Sequence, residues 1–208
     1  VTGSKYLFEA NGKRILVDCG LFQGERELRE RNWQDPPFDP KTLDAIIITH
    51  AHIDHTGILP RMVKLGFRGP VITSRATADL MKILLLDSAR LQQEEADYRN
   101  RHLLTTHTPA LPLYDEHDAR ETFKLLKPVP NDGTPVDVCE GVTASFRVAG
   151  HIIGASMVLI EAANARPDGS NLRFLFSGDL GHYDQPILND PAPPPVCDYL
   201  MCESTYGN

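Results

Sequence analysis

Apolar residues along the chain fall into short runs divided by turn residues, and their spacing changes twice. The first runs, YLFEA and KRILV, flank Asn11-Gly12. Asn-Gly between apolar runs predicts a hairpin, because both residues tolerate positive φ. The run 15–17 reads as a buried strand ending at Asp18, and the charged stretch 21–33 as a short helix or a loop. DPPFDP at 35–40 is a turn-rich connection, and AIII at 45–48 can only be a core strand. ILPRMVKLG has helical spacing and is closed by Gly66, and PVITS at 70–74 is a strand. From about Thr77 the pattern predicts a helix with Leu80, Ile83, Leu84 and Leu91 on its inner side and a solvated tail, QQEEADYRNRH. Asp115 can cap a further helix whose inner face carries Ala119, Phe123 and Leu126. Period two then returns. VTASFRVAG alternates at 142, 144, 146 and 148, SMVLIEA and LRFLFSGD form a hairpin about ARPDGS, and CDYLMCE is a final strand behind PAPPP. The order strand-rich, helical, strand-rich predicts a layered α/β fold.

The chain of 208 residues is long enough for one domain with a sizeable core, and 41% hydrophobic with 24% charged residues is a globular composition. No run is apolar and long enough to span a bilayer, and no signal-peptide pattern is present. Cys19, Cys139, Cys197 and Cys202 are scattered without a CxxC pair, which reads as reduced thiols in a cytoplasmic protein. The net charge of −7, with no basic stripe, counts against an ordinary nucleic-acid binder. If the substrate is nucleic acid, metal ions or parts outside the chain must supply the attraction.

The chemistry concentrates in THAHIDHTG, residues 49–57, directly after the buried strand. In an extended segment side chains two apart share a side, so His50 and His52 can converge on one cation. A turn into helix at 54–56 would send Asp54 and His55 toward a neighbouring point. The cluster thus has the makings of two adjacent sites, each needing ligands from elsewhere. Imidazole with a little carboxylate and no thiolate suits Zn²⁺, with Mn²⁺ or Fe as alternatives. His151 after VAG and Asp179 after LFSG each end a strand beside glycines, where sites are built, and Asp179 could bridge two metals. A lone histidine at a strand end is more often a satisfied polar residue, and SGD alone is weak. HxHxDH after a core strand is the specific signal, and it lifts both candidates. His102, His107, His117 and His182 sit in polar surroundings and read as surface. Asp18 is either a turn aspartate or a carboxylate that orients a histidine beside the metals. Glu203 is either a turn glutamate or a proton carrier near the site.

These residues resemble the metallo-β-lactamase superfamily: Asp18, HAHIDH at 50–55, His151 and Asp179 match its successive motifs in order. The resemblance implies an αββα sandwich with metals at one edge of two facing sheets. It implies His50, His52 and His151 on a first zinc, Asp54 and His55 on a second, and Asp179 bridging. ESTYGN at the end resembles the opening motif of the β-CASP branch, whose members cut RNA or DNA. VTGSKYLFE and VDCGLFQG are similar to the starts of members related to the endonuclease of messenger-RNA cleavage and polyadenylation. Glu203-Ser204-Thr205, where DNA-processing relatives more often carry Asp-Thr-Thr, points to RNA. In the β-CASP branch a second domain, the last strands and two late histidines follow this motif. The expectation is therefore a partial sandwich, residues 1–196, followed by the last strand and the start of the β-CASP motif at 197–208.

The implied activity is zinc-dependent hydrolysis of RNA by a dinuclear metal-activated hydroxide, on a single-stranded substrate, with Asp179 and Glu203 moving protons. Two divalent ions would place +4 where the phosphate must sit. A homodimer through regions outside the chain is a further expectation. The rivals are another hydrolase on the same scaffold (lactonase, thioesterase or small phosphodiesterase) and an inactive fragment or scaffold subunit.

Overall fold

The computed structural model of the chain describes residues 2–104 and 108–205. Thus His107, and Tyr206, Gly207 and Asn208 of ESTYGN, lie outside the described residues. The first hairpin forms as the pattern predicts: β1 (Tyr6–Ala10) pairs antiparallel with β2 (Lys13–Val17), with Asn11 at φ 52° and Gly12 at φ 73°. α1 (Arg26–Glu30) and two 3-10 turns, Arg31–Trp33 and Pro40–Thr42, lead to β3 (Ala45–Ile47). Then come α2 (Ile53–Thr56), α3 (Leu59–Lys64), β4 (Val71–Ser74), the long α4 (Arg75–His102), α5 (Glu116–Phe123) and β5 (Leu126–Val129). The remaining strands are β6 (Val136–Cys139), β7 (Val142–Val148), β8 (Ser156–Ala162), β9 (Leu172–Phe176) and β10 (Tyr199–Met201).

Two five-stranded sheets result, ordered β1-β2-β3-β4-β5 and β10-β9-β8-β7-β6. Alternation decides what each face covers. Ile15, Val17, Ile47 and Ile72 of the first sheet meet Val142, Phe146, Val158 and Phe176 of the second, which makes the central core. The intervening residues Leu16, Ile46, Ile48 and Val71 face the other way, onto Leu59, Met62, Met81, Leu85 and Ala119 of the helices. The strand AIII is thus buried on both faces, as continuous hydrophobicity demands. On the outer face of the second sheet, Met157 and Leu175 pack with Ala149 and Ala155, and with partly buried Ala192 and Cys197 of the loops. No helix of the described residues is long and apolar enough to cross a membrane. All four cysteines are free thiols, and burial raises the Cys19 pKa to about 12.

Two helix expectations need correcting. The inner side of α4 is Ala78, Met81, Leu85 and Ala89, with Leu80 and Leu84 at its margin; Ile83 and Leu91 are 65% and 57% exposed. Ala78 and Ala89 share that face with Met81 and Leu85, and its phase leaves Ile83 and Leu91 outside. Asp115 does cap α5 in a capping box, and Ala119 is buried, but Leu126 begins β5 rather than extending the helix. Leu85→Ala should therefore cost about 2–5 kcal/mol, and Ile83→Ala within about 0.5 kcal/mol of nothing. Urea unfolding midpoints of the two variants check the phase of the helix.

Candidate metal centre

Strand direction brings the chemistry together. β2 and β3 are parallel neighbours, as are β9 and β10, and β7 runs with β9 because both are antiparallel to β8. Asp18, His50, His151, Asp179 and Glu203 all follow the carboxyl ends of these strands. The His50 and His151 rings, 5.2 Å apart at their centroids, show that both sheets present these ends to one another. Loops at such ends, held by rigid strands, are where side chains can be aimed.

His50 is fully buried, and His52 sits at the entry to α2. His52 Nδ1 lies 3.1 Å from His50 Nε2 and 3.2 Å from His151 Nε2. Asp179 Oδ2 is 3.8 Å from His50 Nε2 and 3.6 Å from His151 Nε2. All four ligand atoms fall within 4.8 Å of one another. A tetrahedral zinc with nitrogens at 2.0–2.1 Å has nitrogen–nitrogen edges of about 3.3 Å. Three imidazole nitrogens and one carboxylate oxygen on one point therefore fit a divalent cation in both donor type and spacing. The second oxygen, Asp179 Oδ1, is 3.2 Å from His55 Nε2. The carboxylate thus shows one oxygen to His50 and His151 and the other to His55, the disposition a bridging group needs.

Asp54 is less closely engaged. Its carboxylate is not among the convergent ligand atoms, though its charge favours the protonated form of His52. Its backbone carbonyl accepts from Ser4 N at 2.9 Å. That bond belongs to a braid of residues 18–21 and 53–58 with Ser4, which includes Cys19 N to His55 O, Leu21 N to Ile53 O, Ile58 N to Cys19 O and Gly20 N to Ser4 O. Gly20 sits inside the braid, where a Cβ would come within 1.6 Å of Asp54 O.

Asp18, at φ 58°, is held in a conformation that non-glycine residues seldom adopt. Its carboxylate accepts from Thr49 N at 2.8 Å, from Thr49 Oγ1 at 2.9 and 3.0 Å, and from His55 Nδ1 at 2.7 Å. The Nδ1 contact leaves His55 Nε2 facing Asp179.

The electrostatics follow from burial and proximity. Burial, then the neighbouring imidazoles of His55, His52 and His151, pushes the His50 pKa down to about 2 against the pull of Asp179. Burial, then His151, also lowers His52. Neutral imidazoles are what a metal binds. Burial works against protonating His55, but hydrogen bonds to Asp179 and Asp18 and their charges outweigh it, raising its pKa to about 10. The hydrogen bond from His55 lowers Asp179 to about 2 despite burial, with help from the charges of His55, His50 and His151.

Glu203 lines the same small cavity, of about 30 Å³, as Asp18, His55 and Asp179. Its Oε1 accepts from Leu180 N at 2.5 Å and its Oε2 from Thr205 Oγ1 at 2.7 Å. His102, His117 and His182 are exposed, as expected. Sequence reasoning passed over Thr49, Ser4 and Tyr6. Ser4 Oγ is 3.4 Å from His55 Nε2, and both Ser4 and Tyr6 line the cavity. The hairpin brings Ser4 and Tyr6 there, because β1 is antiparallel to β2 and its amino end lies beside Asp18.

A model of the metallo-beta-lactamase superfamily matches residues 2–93. Ribonuclease TTHA0252 of Thermus thermophilus is 36% identical over the whole chain, which covers 42% of that protein. Transcription termination factor FttA of Cenarchaeum symbiosum is 30% identical over 93% of the chain and 28% of its own length. Endoribonuclease YSH1 of Yarrowia lipolytica is 31% identical over 98% of the chain and 22% of its own length. The chain thus spans less than half the length of these relatives. Among solved structures, a metallo-β-lactamase of Cronobacter sakazakii covers 89% of the chain and 60% of its own, with a TM-score of 0.48 and 23% identity, too loose a likeness to bear on function. The matched segment 2–93 runs through Asp18 and HAHIDH at 50–55, and over that segment the chain matches the metallo-β-lactamase superfamily.

Proposed function

We propose that this chain forms the metal centre of a β-CASP-type ribonuclease that hydrolyses phosphodiester bonds in single-stranded RNA. The observation that carries the reading is Asp179, one oxygen facing His50 and His151 and the other facing His55, in a chain whose relatives are named ribonucleases and endoribonucleases. His50, His52 and His151 with Asp179 Oδ2 would hold one zinc, and His55, Asp54 and Asp179 Oδ1 the second. Bound there, two divalent ions supply an activated water and neutralise charge on the phosphate, offsetting the chain's net −7.

The chain's own residues do the rest. Asp179, kept ionised by His55, is an acceptor placed to orient the attacking water and take its proton. Asp18 holds His55 by its Nδ1, which directs the ring's Nε2 toward Asp179. Glu203, in the same cavity, would help protonate the leaving 3′-oxygen once recharged with a proton from solvent. Ser4 Oγ is placed to hydrogen-bond a phosphate oxygen beside His55.

The test uses the protein at its natural length, stripped with chelator and reloaded with zinc, manganese or iron. End-labelled single-stranded RNA and DNA of one sequence are incubated side by side. RNA cleavage that zinc restores, with DNA cut at least about tenfold more slowly (a gap of ~1.4 kcal/mol in the barrier), is the expected result. A zinc-loaded protein that turns over lactones or thioesters and leaves RNA intact would overturn the reading.

A further inference from the structure

Thr49 offers no ligand of its own, yet its hydroxyl sits 1% exposed between Asp18 and His50. The hydrogen atoms there are fixed by counting donors. The Asp18 carboxylate already accepts from Thr49 N and His55 Nδ1, and the Thr49 O–H, at 2.9 and 3.0 Å from its two oxygens, donates to it as well. That uses its single hydrogen. The contact of 3.1 Å between Thr49 Oγ1 and His50 Nδ1 must then run the other way, with Nδ1–H as donor. A neutral His50 carrying its hydrogen on Nδ1 has its lone pair on Nε2, the atom that faces His52, His151 and Asp179. The same carboxylate takes Nδ1–H of His55 directly at 2.7 Å. Asp18 therefore reaches one histidine on each side of Asp179, one by contact and the other through Thr49.

We propose that Thr49 is a positioning residue: its hydroxyl relays Asp18 to His50 and locks the His50 tautomer that points Nε2 at the metal position. The inference rests on the metal-centre reading for its purpose, but the tautomer is a property of the metal-free protein. Thr49→Val keeps the shape and deletes the hydroxyl; Thr49→Ser keeps the hydroxyl.

Two readouts decide it. Long-range ¹H–¹⁵N spectra of the histidine rings in the metal-free protein should show His50 with Nδ1 protonated in wild type and Thr49→Ser, and a mixture of tautomers in Thr49→Val. His55, which bonds Asp18 itself, should keep its Nδ1–H signal in all three. Zinc affinity by chelator competition should fall about 10–100-fold in Thr49→Val and stay within about threefold in Thr49→Ser, the range expected for partners that orient ligands. A Thr49→Val protein with an unchanged His50 tautomer and unchanged affinity overturns the relay, as does a Thr49→Ser protein that loses the tautomer. If Thr49→Val does not fold, Thr49→Ala, which also deletes the hydroxyl, is read by the same spectra and chelator competition and decides by the same outcomes. Wild type that binds no zinc but keeps the predicted tautomer would sink the metal-centre reading and leave the relay standing.

Discussion

An Asp179→Asn protein will stay folded, take up less metal and lose RNA cleavage with it. Asp179 uses both oxygens: Oδ1 lies 3.2 Å from His55 Nε2, and Oδ2 lies 3.6 and 3.8 Å from His151 and His50. Asparagine keeps one oxygen and replaces the other with an NH₂ donor. Whichever way the amide turns, one side of the bridge then offers hydrogen where a cation needs a lone pair. The substitution also removes the negative charge that the imidazoles hold well ionised, at a pKa of about 2. Bound zinc should drop by about one ion per chain, and cleavage by about 10³-fold, equivalent to ~4 kcal/mol in the barrier. Metal analysis and single-turnover RNA cleavage on the same preparation check both. Activity within tenfold of wild type, with a full complement of zinc, would show that Asp179 does not bridge.

The convergence of His50, His52, His151 and Asp179 was legible because these residues are tied to local signals. HxHxDH follows a run that can only be core, and His151 and Asp179 each follow an alternating or apolar strand and sit beside glycine. Strand ends are readable in sequence, and parallel pairing then forces those ends to one edge. Thr49, Ser4 and Tyr6 were not legible for the opposite reason. Thr49 meets Asp18 across 31 residues and Ser4 meets His55 across 51, contacts set by strand order and by the braid rather than by spacing. The α4 face failed differently. Counting large apolar residues favoured Ile83 and Leu91, whereas the buried stripe of the 28-residue helix runs through Ala78, Met81, Leu85 and Ala89, two of them alanines that such a count passes over. β10 makes the same point: an apolar run exposed along its length, because it pairs only with β9 at the edge of its sheet.

A methyl group at Gly20 will disturb the site more than its distance from the ligands suggests. Gly20→Ala would place a Cβ 1.6 Å from Asp54 O and 2.8 Å from Ser4 N, both backbone atoms with no rotamer to yield. The contact can be relieved only by parting the strands of the braid. Gly20 N to Ser4 O and Ser4 N to Asp54 O, each 2.9 Å, and Cys19 N to His55 O at 2.7 Å would go with it. Residues 54 and 55 move when that braid opens, and His55 must stay within reach of both Asp18 and Asp179 to keep its place. Overpacking a core position costs about 1–3 kcal/mol, and a backbone clash lies at or above the upper end. For a chain of this size the melting temperature should fall by about 6–12 °C, with zinc affinity falling alongside it. Gly169→Ala is the comparison, because Gly169 has φ 79° with nothing within 4 Å of a Cβ, so only the cost of a left-handed residue, about 1 kcal/mol, applies. If Gly20→Ala melts no lower than Gly169→Ala and binds zinc as wild type does, the braid is not what holds His55. If it melts lower and loses zinc while Gly169→Ala keeps it, the loop after β2 is part of the metal centre although it supplies no ligand.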